Sequence, residues 1–192
     1  LSVLKMVRAL EDLAPVIAAE IRSIWDFPKK GINFRDVMPL FQKPSLVAEL
    51  AEAAARYLKE KHGKIDAIAG LEARGFLFGP LIAIKLGVAF VPIRKAGKLP
   101  GALIQASYEK EYGMDTVEMQ SDALSRGARV VVVDDLIATG GTLAAAVDLL
   151  GKAGAEIVEA FLIVELAELK GRVAIGEKVN IHSLITYQTE SE

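Results

Sequence analysis

The stretch VVVVDDLIATGGT, Val130–Thr142, joins an apolar run to a glycine-bearing turn. Four consecutive valines are typical of a strand that is buried on both faces of a parallel sheet. Gly140 and Gly141 allow the chain to turn and a ligand to approach the backbone closely. We expect the turn to lead into a helix whose first amide groups, together with the hydroxyl groups of Thr139 and Thr142, bind a phosphate.

Asp134 and Asp135 stand between the strand and the turn. Their carboxylates would repel a phosphate, so we expect them to accept hydrogen bonds from hydroxyl groups or to support a divalent metal ion. A phosphorylated sugar offers both kinds of partner. A buried strand that leads into a helix without binding a ligand is the alternative interpretation. Since the chain has neither G-x-G-x-x-G after a strand nor G-x-x-x-x-G-K-[ST], dinucleotide and Walker-type nucleotide sites are disfavoured.

Strand-like and helix-like segments alternate along the chain. Helical spacing of apolar residues predicts helices over residues 43–62, 75–87 and 141–154. Apolar runs predict strands over residues 65–70, 88–93, 129–133, 156–166 and 178–187. The alternation indicates an α/β fold in one domain, residues 1–192, with a parallel sheet that is covered by helices on both faces.

Two segments fall outside this pattern. Residues 95–126 form a long polar and glycine-bearing stretch between two predicted strands, too long for an ordinary connection, so we expect a lid or a binding loop there. Near the N-terminus, Pro15 predicts the start of a helix over residues 15–25, because proline is favoured in the first turn of a helix.

Composition disfavours several classes of protein. The 192 residues are 52% hydrophobic and 25% charged, as in an ordinary globular domain, and a net charge of −2 gives no reason to expect a nucleic-acid partner. The chain has no cysteine, and its two histidines, His62 and His182, share no metal-ligand spacing. Its longest apolar run is interrupted by glycine, proline and lysine, so no membrane partner is expected. Without a secretory signal pattern, we expect a cytoplasmic protein.

The stretch Val130–Thr142 resembles the phosphoribosyl-pyrophosphate signature of the type I phosphoribosyltransferases. The resemblance extends, in order, over residues 26–40, 70–80, 92–101, 106–113 and 162–172. It implies the fold of that family, with a small N-terminal hood at about residues 26–40 and a flexible lid at about residues 95–126. It also implies a homodimeric, Mg²⁺-dependent enzyme of purine salvage. Such an enzyme transfers the 5-phosphoribosyl group from phosphoribosyl pyrophosphate (PRPP) to N9 of adenine, giving AMP and pyrophosphate.

The resemblance also assigns the groups that would bind PRPP. It implies that Asp134 and Asp135 contact the ribose hydroxyl groups and support the magnesium ion, which is bound mainly through the substrate. The residues implied for the 5-phosphate are Ala138, Thr139, Gly140, Gly141 and Thr142. The residues implied for the pyrophosphate are Glu72, Ala73, Arg74, Arg94, Lys95 and Lys98. In this family the arginine at the position of Arg94 often reaches the neighbouring subunit, and its action within or across subunits stays open. A solvated loop is the alternative for this basic run.

Base recognition is implied for the hood and for two apolar positions. In similar enzymes the backbone groups of Asn33 and Arg35 read the edge of adenine, and Phe34 helps to form an apolar pocket. Ile137 and Leu166 match positions that sandwich the purine ring, although core packing explains Leu166 equally well. Asn33 stands where the family has an aliphatic residue, a change without effect if only its backbone is used.

Ala138 stands at a position where relatives that use 6-oxopurines generally carry an aspartate. An alanine transfers no proton, so the resemblance implies that catalysis uses Arg74 together with Glu111 and Tyr112 of the lid, which close over the site. Glu109 lies two positions before Glu111 and is the alternative acid. Two other functions stay open: transfer to hypoxanthine, guanine or xanthine, and a purine-responsive transcription regulator, which would need an additional DNA-binding module.

Overall fold

The structure is a computed structural model that describes residues 8–27, 29–110 and 113–188; for Glu109, Lys110 and Gly113 it describes the backbone alone. Within these ranges the helices are α1 (Leu10–Ala18), α2 (Pro44–His62), α3 (Gly75–Leu86), α4 (Gly141–Lys152) and α5 (Gly171–Ile175). The strands are β1 (Arg22–Trp25), β2 (Asn33–Asp36), β3 (Ala67–Leu71), β4 (Ala89–Lys95), β5 (Leu103–Lys110), β6 (Gly113–Gln120), β7 (Arg129–Ile137), β8 (Glu156–Leu166) and β9 (Ile181–Tyr187). Short 3-10 turns lie at Met38–Gln42 and Ala167–Leu169. None of these helices is long and apolar enough to cross a membrane.

In the described part of the chain, a seven-stranded sheet has the order β5-β6-β4-β3-β7-β8-β9. The strands from β4 to β9 in this order are parallel neighbours, whereas β6 pairs antiparallel with both β4 and β5. Parallel pairing aligns Gly70 of β3 with Val133 of β7, so the loops after both strands leave the same edge of the sheet. The predicted α/β architecture is confirmed, with an antiparallel extension at one edge.

The four valines of the quoted stretch pack on both sides of the sheet, because successive side chains of a strand point to opposite faces. Val131 and Val133 join the core formed with α1, α2 and α3. Val130 and Val132 join the core formed with α4. All four are inaccessible to solvent, and burying each side chain stabilises the fold by roughly 1.5–3 kcal/mol. Helices therefore cover both faces, as predicted.

The stretch 95–126 contains regular structure that the sequence analysis did not predict. Within it, β5 and β6 form an antiparallel hairpin in which Tyr108 lies opposite Asp115. Ala106 and Val117 attach the hairpin to the core on the α4 side. Because the hairpin is buried on one face only, its apolar and polar residues alternate, unlike the continuous apolar runs from which the other strands were predicted.

The helix predicted over residues 15–25 is wrong. Pro15 lies inside α1, and the chain then continues as β1, which pairs antiparallel with β2. Three buried residues at helical spacing, Leu10, Leu13 and Ile17, fix α1 against the core. These tertiary contacts outweigh the preference of proline for the first turn of a helix. The two-stranded unit of β1 and β2 is called the hood below; it shares β2 with the hood predicted at about residues 26–40 and adds β1, which precedes that range.

Candidate active site

A pocket of about 300 Å³ opens at the carboxyl ends of β3, β4 and β7. Loops and helix N-termini converge at this edge of an α/β sheet, which is why ligands bind there. The pocket is lined by the predicted site residues Glu72, Ala73, Arg74, Arg94, Lys95, Asp134, Asp135, Ile137, Ala138, Thr139, Gly140, Gly141 and Thr142. It is also lined by residues that the sequence analysis did not single out: Leu71, Ile93, Tyr108, Val117, Leu136, Leu143 and Leu162.

The predicted 5-phosphate loop, Ala138–Thr142, forms the turn between β7 and α4. Gly140 precedes α4 with a φ of 83°, a left-handed conformation that favours glycine. A Cβ at Gly140 would also collide with the backbone carbonyl group of Gly171. Because Gly140 offers no side chain to cap α4, the first amide groups of this helix are available to an anion.

The segment after β8 supports this loop from behind. Arg172 donates two hydrogen bonds of 2.7 Å to Glu165, one to each carboxylate oxygen. This bidentate pair lowers the pKa of Glu165. It also fixes the turn between the two residues, and that turn carries Gly171 against Gly140.

Asp134 and Asp135, at the end of β7, have different surroundings. Asp135 is buried and accepts a hydrogen bond from Nε of Arg74. Asp134 accepts the backbone N–H of Asp135 at 2.9 Å. Burial and the negative charge of Asp135 raise the pKa of Asp134 well above its ordinary value. The ionised form of Asp134 would therefore be stabilised by a ligand that donates hydrogen bonds or brings positive charge.

Arg74 connects this acidic pair to the hood. It follows a cis peptide bond between Glu72 and Ala73 and directly precedes α3. Its guanidinium carbon lies 5.7 Å from the ring centroid of Phe34, within the range of a cation–π contact. Since 43% of the Arg74 side chain is exposed, the group can reach an anionic ligand while it stays beside Asp135.

Glu72 lies at the centre of the predicted pyrophosphate loop. Its carboxylate accepts hydrogen bonds from the guanidinium group of Arg94 at 3.2 Å, from Nζ of Lys98 at 2.8 Å and from the backbone N–H of Lys95 at 3.1 Å. Burial alone would raise the pKa of Glu72, but these donors lower it to about 2. Glu72 is thus the countercharge of Arg94 and Lys98, and a bound pyrophosphate would compete with it.

Glu118 of β6 fixes the basic loop from the inside of the protein. Its side chain is inaccessible to solvent and accepts the backbone N–H groups of Lys98 and Leu99, each at 2.9 Å. Gln105 donates a further hydrogen bond of 3.1 Å. Burial opposes ionisation of Glu118, but the backbone donors outweigh it and lower the pKa. The basic run is therefore an anchored loop, which argues against the alternative of a merely solvated one.

The hood residues Asn33, Phe34 and Arg35 do not line the pocket. The side-chain oxygen of Asn33 accepts a hydrogen bond from the hydroxyl group of Ser23, across the two strands of the hood. This contact accounts for a polar residue where the family has an aliphatic one. Arg35 is buried, and its guanidinium carbon lies 3.9 Å from the ring centroid of Tyr187.

Leu166 also does not line the pocket and is buried in the core with α1, α2 and α3, which favours a packing role. Ile137, by contrast, is buried and lines the pocket. Lys98 approaches the site through its ion pair with Glu72. Glu111 and Tyr112 lie outside the described residues, so their catalytic roles stay predictions.

Tyr108 is a polar pocket residue that the sequence analysis missed. Its hydroxyl oxygen lies 3.2 Å from Oγ1 of Thr142 and 3.2 Å from Oδ2 of Asp115. The pairing of β5 with β6 brings this side chain to the pocket from the stretch that was predicted to be a lid. The alternation of apolar and polar residues from Ile104 to Tyr108 is the signal that could have placed it.

Comparison with known proteins gives the class to which this fold and pocket belong. Residues 37–185 match the sequence model of the phosphoribosyl transferase domain. The mainly parallel sheet, the glycine-bearing loop and the acidic pair at its carboxyl edge are thus those of a phosphoribosyltransferase.

Individual relatives narrow this class. The chain is 56% identical to the adenine phosphoribosyltransferase of Caenorhabditis elegans, over 93% of this chain and 96% of that protein. It is 49% identical to the adenine phosphoribosyltransferase of Yarrowia lipolytica, over 85% and 91% of the two chains. A crystal structure of the Saccharomyces cerevisiae adenine phosphoribosyltransferase, complexed with an iminoaltritol bisphosphate and adenine, matches with a TM-score of 0.86 and 44% identity, covering 91% and 99%. The chain therefore belongs to the adenine phosphoribosyltransferase family.

Proposed function

We propose that this protein is a cytoplasmic, Mg²⁺-dependent homodimer that transfers the 5-phosphoribosyl group of PRPP to N9 of adenine, giving AMP and pyrophosphate in purine salvage. The pocket at the carboxyl ends of β3, β4 and β7 carries the proposal. It joins an uncapped helix N-terminus, an acidic pair and a cationic loop. These features correspond to the 5-phosphate, the ribose hydroxyl groups and the pyrophosphate of PRPP.

The sugar phosphate is held by groups of opposite character. The amide groups at the start of α4 and the hydroxyl groups of Thr139 and Thr142 donate to the 5-phosphate. Asp134 and Asp135 accept from the ribose hydroxyl groups. Hydrogen bonds to ionised groups are worth about 1.5–3 kcal/mol each. The acidic pair lies at the end of β7 and the 5-phosphate loop follows it directly in the chain, so the sugar phosphate is held through both its hydroxyl groups and its phosphate.

The reaction forms a bond from N9 of adenine to C1 of the ribose and breaks the bond from C1 to pyrophosphate. Positive charge develops on the sugar and negative charge on the leaving group. Arg74, Arg94 and Lys95 line the side of the pocket where the pyrophosphate departs, and their charges stabilise it. Arg74 also lies beside Phe34 of the hood, which is the side from which the base approaches.

Adenine must lose a ring proton as N9 becomes bonded to the sugar. Ala138 lines the pocket at the position where relatives that use 6-oxopurines generally have an aspartate, and it transfers no proton. We assign the proton transfer to Glu111, which hydrogen-bonds to N7 of adenine. Tyr112 closes over the site. Transfer to hypoxanthine, guanine or xanthine is disfavoured by Ala138 and by relatives at 49% and 56% identity that are adenine phosphoribosyltransferases.

The acidic pair fits a magnesium ion that is held mainly by substrate oxygens. Carboxylate oxygens are the ligands that Mg²⁺ prefers, and Asp134 has a raised pKa that a nearby cation would lower. Among the described residues, no group of three or more acidic, histidine or cysteine side chains could hold a metal ion by itself. When bound, the ion supplies charge neutralisation for the pyrophosphate, while Asp134 and Asp135 keep its complex with PRPP in place.

A steady-state assay with PRPP, Mg²⁺ and each purine base in turn tests the proposed reaction. We expect AMP and pyrophosphate to form from adenine, and hypoxanthine, guanine and xanthine to react far more slowly. Comparable rates with a 6-oxopurine would contradict the substrate assignment. Binding of PRPP without turnover of any base would favour the purine-responsive regulator instead.

We also propose that two copies of the chain form the active unit. Two apolar side chains of α3, Leu81 and Ile84, are 36% and 74% exposed and offer a surface for a second copy. In the single chain Arg94 lines its own pocket, whereas in the family the arginine at this position often reaches the pyrophosphate of the neighbouring subunit.

Mixed dimers separate these two roles of Arg94. One chain carries Arg94→Ala, and the other carries Asp134→Asn with Asp135→Asn. Action across the dimer predicts one intact site in each mixed dimer, because the Arg94→Ala chain keeps its aspartates and receives Arg94 from its partner. Action within the chain predicts no intact site. The turnover rate per mixed dimer, against the native dimer, distinguishes the two.

A further inference from the structure

Tyr108 joins the β5–β6 hairpin to the 5-phosphate loop. Its hydroxyl oxygen lies 3.2 Å from Oγ1 of Thr142, in the first turn of α4, and 3.2 Å from Oδ2 of Asp115, in β6. Its ring lies over Gly141, since a Cβ built on that glycine would be 3.3 Å from the ring. One side chain of the hairpin thus contacts two residues of the loop.

The number of hydroxyl protons determines which way these hydrogen bonds run. Tyr108 has one proton, and the carboxylate of Asp115 can only accept, so Tyr108 donates to Asp115. The oxygen of Tyr108 is left to accept, and Thr142 therefore donates its own proton to Tyr108. An ionised phosphate also only accepts. The same Thr142 proton cannot serve both the hairpin and a phosphate.

Tyr108 lies at the boundary between the buried and the exposed part of the hairpin. Ala106 and Val117 form a cross-strand pair that is buried against the core on the α4 side. Tyr108 and Asp115 form the pair two residues nearer the Lys110–Gly113 pair, at which the two strands end. Met114, one residue nearer still, is 67% exposed. The Tyr108 contact thus lies where the packed part of the hairpin ends.

We propose that Tyr108 is a positioning residue that couples the hairpin to the 5-phosphate loop through Thr142. The proposal rests on the role of Thr142 in phosphate binding given above. Thr142 donates to Tyr108 while the loop holds no phosphate and donates to the phosphate when one is bound. The two acceptors compete for one proton, so binding of the sugar phosphate releases Tyr108 from the loop.

Binding of ribose 5-phosphate, measured by titration calorimetry, tests the competition. Tyr108→Phe removes the hydroxyl group and keeps the ring over Gly141, so Thr142 loses the competing acceptor. We expect ribose 5-phosphate to bind Tyr108→Phe about twofold to tenfold more tightly than the native chain, the equivalent of one net hydrogen bond. The matched control is Thr116→Val, which breaks a neighbouring cross-strand hydrogen bond of 2.8 Å to Ser107 and should leave the affinity unchanged.

A double-mutant cycle identifies the residue through which Tyr108 acts. Thr142→Val should weaken the binding of ribose 5-phosphate, because a donor is lost. In the Thr142→Val background, Tyr108→Phe should change the affinity no further. Amide hydrogen exchange gives a second readout: Tyr108→Phe, and ribose 5-phosphate added to the native chain, should both speed exchange in β5 and β6 near residues 108–115. A merely structural defect of the variant would not be reproduced by the ligand.

The outcomes separate this coupling from the phosphate site itself. If Thr142→Val weakens binding but Tyr108→Phe weakens it or leaves it unchanged, the coupling is overturned and the phosphate site stands. Weaker binding in that case makes Tyr108 a direct phosphate ligand. If Thr142→Val binds ribose 5-phosphate as well as the native chain does, the coupling and the role of Thr142 are overturned, while the amide groups and Thr139 still account for the site. If the native chain does not bind ribose 5-phosphate, both the coupling and the assigned phosphate site are overturned.

Discussion

Asp135 and Glu159 lie on neighbouring strands of one sheet and are both almost inaccessible to solvent, but they lie at opposite ends of it. By the register of β7 with β8, Asp135 is roughly 13 Å further toward the carboxyl end. Each carboxylate has a basic partner. Asp135 pairs with Arg74, and Glu159 pairs with Lys61 at 2.5 Å and with His62 at 3.0 Å.

The two ends of the sheet differ in what surrounds the buried carboxylates. At the amino end, α2 and β9 enclose Glu159, and the hydroxyl group of Tyr57 lies 3.0 Å from Nδ1 of His182 in the same cluster. At the carboxyl end, Asp135 and Arg74 border a pocket beside an uncapped helix N-terminus. Burial and ion pairing alone therefore do not mark a functional site. A buried pair indicates recognition when it also lines a cavity where loops converge.

The largest effect is expected from Glu111, to which the proton transfer is assigned. A general acid or base typically contributes a factor of 10²–10⁴ in rate, so Glu111→Ala should lower the single-turnover rate by about that factor, with a modest change in PRPP affinity. Single-turnover measurements are needed because closure of the lid can limit steady-state turnover and hide the loss. Glu109→Ala is the matched control and should stay near the native rate. Equal small losses in both variants would reduce Glu111 to a part of the lid.

The acidic pair should show a smaller effect, on binding. Asp134→Asn or Asp135→Asn removes a charged acceptor for the ribose hydroxyl groups, and such a bond is worth about 1.5–3 kcal/mol. We expect PRPP to bind about tenfold to a hundredfold more weakly, with little change in adenine binding. Calorimetry with PRPP and Mg²⁺ measures this, and an unchanged PRPP affinity would remove the pair from the substrate site.

At the amino end, we expect an effect on stability and not on catalysis. Glu159→Gln leaves Lys61 without its countercharge, and losing such a partner costs roughly 1–2 kcal/mol of unfolding free energy, since Lys61 is partly exposed. Urea denaturation measures the loss, while kcat/KM should stay within about twofold, as expected for a site remote from the chemistry. Glu156, like Glu159, belongs to β8, and Glu156→Gln, which breaks an exposed ion pair with Arg129 of β7, should cost less than about 1 kcal/mol. A folded Glu159→Gln variant with low kcat/KM would contradict the assignment of the amino end to stability alone.

The smallest effect concerns the pH dependence of that cluster. Burial lowers the pKa of His182; Lys61 and Arg172 add to this, whereas Glu159 and Glu11 oppose it. Protonation therefore favours the unfolded chain, whose histidine titrates near pH 6.5. The unfolding free energy should fall below about pH 6.5, with His182 contributing at most about 1.4 kcal/mol per pH unit. The His182→Gln variant should show a shallower fall in urea denaturation at pH 7.5, 6.5 and 5.5; an equal slope would show that His182 does not titrate on unfolding.

Local chemistry was enough to predict much of the structure around the pocket. The segment Val130–Thr142 carries its own strand, acidic pair and helix start, so its structure follows from hydrophobic periodicity and from glycine. The same holds for α2, where proline at the start and glycine after the end mark the helix, and for the basic run at residues 94–98. The predicted roles of these residues in binding await the experiments above.

The sequence by itself determined the α/β alternation, the glycine-bearing turn after β7 and the family, because each depends on residues that are close together in the chain. The tertiary structure alone decided that α1 contains Pro15, that β5 and β6 extend the sheet, and that Tyr108 reaches Thr142. Those features depend on contacts between distant segments, where burial on one face outweighs local preference. The different surroundings of Asp135 and Glu159 were decided in the same way, because both are acidic residues in apolar strands. Only the assembled sheet places Asp135 beside a cavity and Glu159 beneath α2.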